Sequence, residues 1–111
     1  MVELTRGDLV LVAFPGEYGK VRPAVIVQDD AFSESFGSVI ACPLTSLSSE
    51  PQVARVSVAA TESNGLQTHS TIMLEKIAAV PRGKIARVIG HLDERTMVRL
   101  NHSLTVLLGL A

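Results

Sequence analysis

The feature that most constrains this chain is a succession of short apolar runs, each cut off by proline, glycine or asparagine before it reaches helical length. The run from Asp8 to Phe14 lies between Gly7 and Pro15-Gly16, and the run from Pro23 to Gln28 opens on a proline. A third extends from Ser38 to Cys42 and on through Pro43 to Thr45. Runs of this length, rich in valine and isoleucine and bounded by turn formers, are strands. Proline at the first position of a strand costs no ladder hydrogen bond. Val53 to Ala59 alternates, with Val53, Arg55 and Ser57 set against Ala54, Val56 and Val58, and predicts a strand with one wet face. Thr71 to Ile77, extendable to Val80, is expected as one strand ended by Pro81-Arg82-Gly83, and Ile85 to Ile89 as a shorter one. The polar stretches between them read as loops. One of these, 61–68, carries Asn64-Gly65, a strong turn signal; another, 29–37, has room for a short helical turn.

One segment has the other period. Met97, Leu100, Leu104, Leu107 and Leu108 share a helical stripe. Asp93 stands where an N-cap belongs, and Leu92 and Met97 occupy the two positions of a hydrophobic staple. The stretch 106–111 is apolar almost all round, which predicts burial against the sheet or a second subunit. The fold expected is therefore mainly β: a curled sheet or small barrel of about five to seven short strands with a C-terminal α-helix. A chain of 111 residues suits one domain spanning 1–111.

Composition narrows the setting. Apolar residues make up 47% and charged residues only 19%, so much apolar surface must be hidden, and a homodimer is one way to hide it. No run approaches the ~18 apolar residues of a membrane span, and the start of the chain lacks a signal peptide's basic and apolar regions. A single cysteine, Cys42, rules out an internal disulfide framework, and the expected compartment is the cytoplasm. Lying in an apolar run, Cys42 reads as a buried structural thiol. The histidines His69, His91 and His102 have no metal-ligand spacing, and no metal or cofactor is expected. Net charge is −1, yet Lys76, Arg82, Lys84 and Arg87 fall in one stretch without an acid. That stretch is either a phosphate-binding face or a solvated basic face, and charge alone does not choose.

Five motifs occur in a fixed order along the chain. They are Arg6-Gly7-Asp8-Leu9-Val10, Val21-Arg22-Pro23-Ala24-Val25-Ile26-Val27, Pro43-Leu44-Thr45-Ser46, Asn64-Gly65-Leu66 and Leu74-Glu75-Lys76-Ile77. In order and approximate spacing, the set resembles the MazF/PemK toxin family over nearly the whole chain. The resemblance implies an SH3-like barrel with a C-terminal helix, a homodimer, and sequence-selective, metal-independent cutting of single-stranded RNA. It also implies a cognate antitoxin whose C-terminal tail lies across the RNA groove.

By the same resemblance Arg22 matches the family's catalytic arginine, and a guanidinium suits the grip of two phosphoryl oxygens at once. Thr45 matches a threonine whose hydroxyl donates to a phosphate oxygen, with Ser46 beside it either sharing that role or capping the loop. Glu17 aligns with a glutamate near the scissile phosphate; it is either the general base or a solvated loop acid. Glu75 matches a family acid, with a salt bridge to a nearby base as the alternative. Lys20, Lys76, Arg82 and Arg87 supply positive charge for RNA or for an acidic antitoxin tail, and His69 precedes the strand that leads to Glu75. The chain departs from many members in two places. Its 14–20 loop is shorter, and Lys76-Ile77-Ala78-Ala79 stands where many carry Gln-x-Arg-Thr. Two rivals share the fold: a gyrase-binding toxin of the CcdB type, disfavoured because the chain has no tryptophan, and a binding module without catalysis.

Overall fold

The computed structural model describes residues 3–13, 20–46 and 54–110. Among them seven strands form one antiparallel sheet: β1 (Asp8–Val12), β2 (Arg22–Ile26), β3 (Ser38–Thr45), β4 (Arg55–Val58), β5 (Ser70–Met73), β6 (Ala78–Pro81) and β7 (Ile85–His91). The order across the sheet is β4-β5-β3-β2-β1-β7, with β6 also paired to β3. Helix α1 (Glu94–Leu107) closes the chain. The mainly β expectation with a terminal helix holds.

The sheet buries apolar side chains on both faces, and register shifts in the β1–β7 pairing bend it. Val10, Val12, Ala24, Ile26, Val39, Ala41, Val80 and Ile85 form one cluster. Their strand neighbours Leu9, Val25, Cys42 and Leu44 join Val56, Ile72, Leu92 and Leu100 in a second, larger one. Period-two alternation sends successive residues to opposite faces, so β1, β2 and β3 must be apolar on both. On β4 only Val56 and Val58 are buried, and the expected wet face is there.

The segment after Ser70 differs from the single strand expected. Leu74–Lys76 forms a 3-10 turn that separates β5 from β6. The cause lies in β3, which is eight residues long and takes two partners on one edge: Leu44 and Thr45 pair with β5, and residues 38–41 pair with β6. Moving from one end of β3 to the other requires a break, and Leu74 supplies it. Its N–H donates to the Ala54 carbonyl at 2.9 Å while its side chain is fully buried. A second turn at Arg82–Lys84 reverses the chain into β7, which runs to His91, beyond the shorter strand expected.

Helix α1 starts where its cap predicted. The Asp93 carboxylate accepts from Thr96 N–H at 2.7 Å, and the Thr96 side chain and N–H together hold the carboxyl below its ordinary range. Leu92 is buried, and Met97 packs on Gly7. Leu100 is fully buried and Leu104 reaches the larger cluster, but Val106, Leu107, Leu108 and Leu110 are exposed. Burial of the helix end against the sheet is thus not observed. None of the described helices is long and apolar enough to cross a membrane.

Candidate functional site

A cleft of about 640 Å³ opens at one end of the strands. Register explains which residues meet there. In the β2–β3 ladder Ala24 faces Pro43, and the same antiparallel register carried two residues further sets Thr45 beside Arg22. On the other side of β2, Pro23 pairs with Leu11, which pairs in turn with Arg87 on β7. Pro23, Leu11, Leu44 and Ile89 give the cleft an apolar floor. Arg22, Thr45, Lys20, Ser46 and Arg87 stand around it.

The remaining wall comes from the segment that leads into β5. Gly65, Leu66, Gln67, Thr68 and Ser70 line it. This wall is anchored to β7, where His91 N–H donates to the Ser63 carbonyl at 3.1 Å. Gly65 has φ +70°, and a Cβ there would collide with the Ile89 carbonyl. A Cβ on Gly90 would in turn strike the backbone of Ser63 and Asn64. Only glycine allows such an approach of two backbones. The Asn64-Gly65 turn thus packs its backbone against β7 and sets one wall of the cleft.

Lys20, Arg22 and Arg87 are the charged residues of the lining, and no described acid lies among them. Three cations with two hydroxyl side chains, Thr45 and Ser46, over an apolar floor suit a ligand that carries several negative charges and flat apolar groups. A half-buried guanidinium such as Arg22 donates two parallel hydrogen bonds to oxyanion oxygens, and the partial exclusion of water strengthens them.

Five of the residues singled out from sequence therefore meet: Arg22, Thr45, Lys20, Ser46 and Arg87. The others lie elsewhere. Glu75 and Lys76 sit on the 74–76 turn, where Glu75 forms a salt bridge with Arg55, the alternative already weighed for it. Arg82 lines a separate hollow with Glu3, Asp30 and Glu34. His69 is exposed and falls between two cleft residues without itself lining the cleft. Glu17 lies outside the described residues. Sequence reasoning missed Gln67, Thr68 and Ser70 as site residues. The available signal was their position just after a turn that forms part of an ordered motif set.

An antiparallel sheet curled on itself, capped by one helix and bearing a basic, hydroxyl-lined cleft at its strand ends, defines a small β-barrel protein with one strongly basic end. Residues 5–108 match the family described as PemK-like, MazF-like toxin of type II toxin-antitoxin system, and the chain belongs to that family. It is 38% identical over 109 residues to a probable endoribonuclease MazF of Mycolicibacterium smegmatis, covering 97% of this chain and 99% of that one. Among solved structures it resembles an endoribonuclease in complex with its cognate antitoxin from a mycobacterial species, with a TM-score of 0.82 at 19% identity over 97% of both chains. It also resembles a MazE-MazF structure from Deinococcus radiodurans, with a TM-score of 0.81 at 19% identity over the whole of both. At that identity the two likenesses establish the fold.

Proposed function

We propose that this toxin is a metal-independent, sequence-selective endoribonuclease that cuts single-stranded RNA in the cleft. The observation that carries the reading is the meeting of Arg22 and Thr45 at adjacent strand ends, in a cleft with Lys20 and Arg87 and no described acid in its lining. RNA carries its own nucleophile. The 2′-oxygen attacks the neighbouring phosphorus, the bond to the 5′-oxygen breaks, and the products are a 2′,3′-cyclic phosphate and a 5′-hydroxyl. Tethering the nucleophile beside its target removes most of the entropic barrier. What the protein adds is charge stabilisation and two proton transfers. Arg22 grips the non-bridging oxygens, and the Thr45 hydroxyl donates to one of them. Glu17 takes the 2′-hydroxyl proton as general base, and the Arg22 guanidinium donates a proton to the leaving 5′-oxygen and regains one from water. Lys20 and Arg87 hold flanking phosphates.

The active form is a homodimer, in keeping with the exposed apolar helix end at Val106, Leu107, Leu108 and Leu110. A cognate antitoxin holds the toxin in check by laying an acidic C-terminal tail over the same cations, and the compartment is the cytoplasm. The test is to incubate purified protein with a long single-stranded RNA in EDTA beside Arg22→Ala. Cleavage at a short recurrent motif with cyclic-phosphate ends, lost in the variant, is expected. Intact RNA from a folded dimer would sink the nuclease reading and leave a binding module.

A further inference from the structure

The cleft is divided chemically, and the division assigns a second task to it. Phosphate contacts hold a nucleic acid in place but carry no sequence information; that must come from groups that meet base edges. Every cation of the described lining lies outside 65–70, which contributes only uncharged groups. We propose that this wall reads the bases of the bound RNA, and that Gln67 determines which base is accepted at one position of the recognition sequence. The proposal rests on the RNA reading above.

Gln67 stands apart from its neighbours in what it has left to give. The Ser70 hydroxyl donates to the Thr68 carbonyl at 3.0 Å, and the Thr68 hydroxyl donates to the His69 carbonyl at 3.3 Å. Both protons are spent at home. Gln67 is exposed and lines the cleft, and its side chain makes no hydrogen bond to any described residue. Its amide presents a donor and an acceptor side by side, the pattern that pairs with the edge of a single base. In single-stranded RNA those edges are open for reading.

A reader also needs a rigid mount, because a site loose by ~1 Å discriminates poorly. The mount is Asn64, which is 5% exposed. Its Oδ1 accepts from Thr61 N–H and Leu66 N–H, both at 3.0 Å, and its Nδ2 donates to the Ala59 carbonyl at 2.8 Å. Its own N–H donates to Thr61 Oγ1 at 3.1 Å. Leu66 is buried in the larger cluster, directly before Gln67. The backbone at 67 is thus fixed from both sides, by Leu66 and by the start of β5, while the side chain is left unspent.

The experiment uses the full chain and a set of short RNAs that differ from the preferred site by one base at a time. For Gln67→Ala, kcat/KM on the preferred RNA should fall on the order of 10-fold, while RNAs with another base at one position lose nothing. Discrimination at that position should collapse, and at all others it should persist. Gln67→Glu replaces the donor by an acceptor and should change which base is preferred there. Unchanged preferences at every position, or an equal loss on all RNAs, would overturn the proposal. Should Gln67→Ala fail to fold, as judged by its melting, Gln67→Glu and Gln67→Asn carry the same comparison. A wild-type protein that binds these RNAs without cutting defeats the nuclease reading alone, and base preference is then read from binding. One that neither binds nor cuts defeats both.

Discussion

Two hollows of similar size open on this molecule, about 640 Å³ and about 500 Å³, and they are opposites in charge. The larger carries Lys20, Arg22 and Arg87; the smaller carries Glu3, Asp30 and Glu34 around a single Arg82. They differ as well in how their polar groups are used. In the smaller hollow Asp30 accepts from Arg6 N–H at 2.6 Å, and Arg82 Nε donates to the Phe36 carbonyl at 3.1 Å. These side chains tie loops to the sheet. Volume therefore does not mark the site of a polyanion; the sign of the field does. The contrast also revises the basic stretch seen in the sequence. Folding divides it, sending Arg87 to the cleft through β7, Arg82 to the acidic hollow, and Lys76 to a turn that reaches neither.

The sharpest way to break this contrast is to alter one arginine in each hollow. Arg87→Glu should lower kcat/KM for RNA on the order of 100-fold, since it replaces a phosphate contact by a repulsion. Arg82→Gln, which keeps a donor for Phe36, should change it by less than about 3-fold, because screening mutes a distant surface charge. Equal losses in the two variants would mean that the hollows act as one surface.

A second test asks whether the cleft wall is built and the acidic hollow merely bounded. Asn64→Ala leaves Thr61 N–H and Leu66 N–H without their acceptor in a turn where Asn64 and Leu66 are buried, a loss of about 2 kcal/mol. Asp30→Ala removes one exposed acceptor and should cost at most about 1 kcal/mol. Urea unfolding measures both. Similar values would show that the Asn64 turn is no firmer than an ordinary loop.

These residues also show where sequence reasoning succeeds and where it stops. Strand interiors and the helix start are local properties: the double apolar layer of β1, the alternation on β4 and the Asp93 cap each follow from a few adjacent residues. The break at Leu74 is not local. It is imposed by the length of β3 and by the Ala54 carbonyl, both distant in sequence. The cleft is a product of register, so Arg22 and Thr45, 23 positions apart, could be paired beforehand only through family likeness. Gln67 carried only its position after the Asn64-Gly65 turn, a weak signal, since polar residues after a turn look alike whether or not a ligand meets them.

The floor of the cleft gives a third test, of how far its wetness extends. Cys42 lies in the same buried cluster as Leu44 and is fully buried. Burial pushes its thiol up to about 12; Arg6 pulls the other way and Glu75 adds to the rise. The unfolded thiol ionises near 9.0. Stability from the neutral buried thiol is therefore complete below that pH and lost between about 9 and 12, at up to ~1.4 kcal/mol per pH unit. Denaturant midpoints from pH 8 to 10.5 should fall more steeply for the wild type than for Cys42→Ala. Parallel curves would mean that burial does not raise the thiol in the folded protein.

The smallest effect expected is in salt dependence, and it separates charge from shape most cleanly. Binding of single strands weakens with salt by a slope of about 0.7 per phosphate contact. If Arg87 holds one phosphate, Arg87→Ala should reduce the slope of log affinity against log salt by about 0.7, or roughly a 2.6-fold smaller change between ~50 and ~200 mM. Glu34→Gln in the acidic hollow removes a charge of the opposite sign and releases no counterion from RNA, so its slope should match the wild type even if its affinity shifts slightly. A reduced slope in Glu34→Gln would place RNA across both hollows. An unchanged slope in Arg87→Ala would assign that side chain to a base or to the apolar floor, and leave Lys20 and Arg22 as the phosphate contacts.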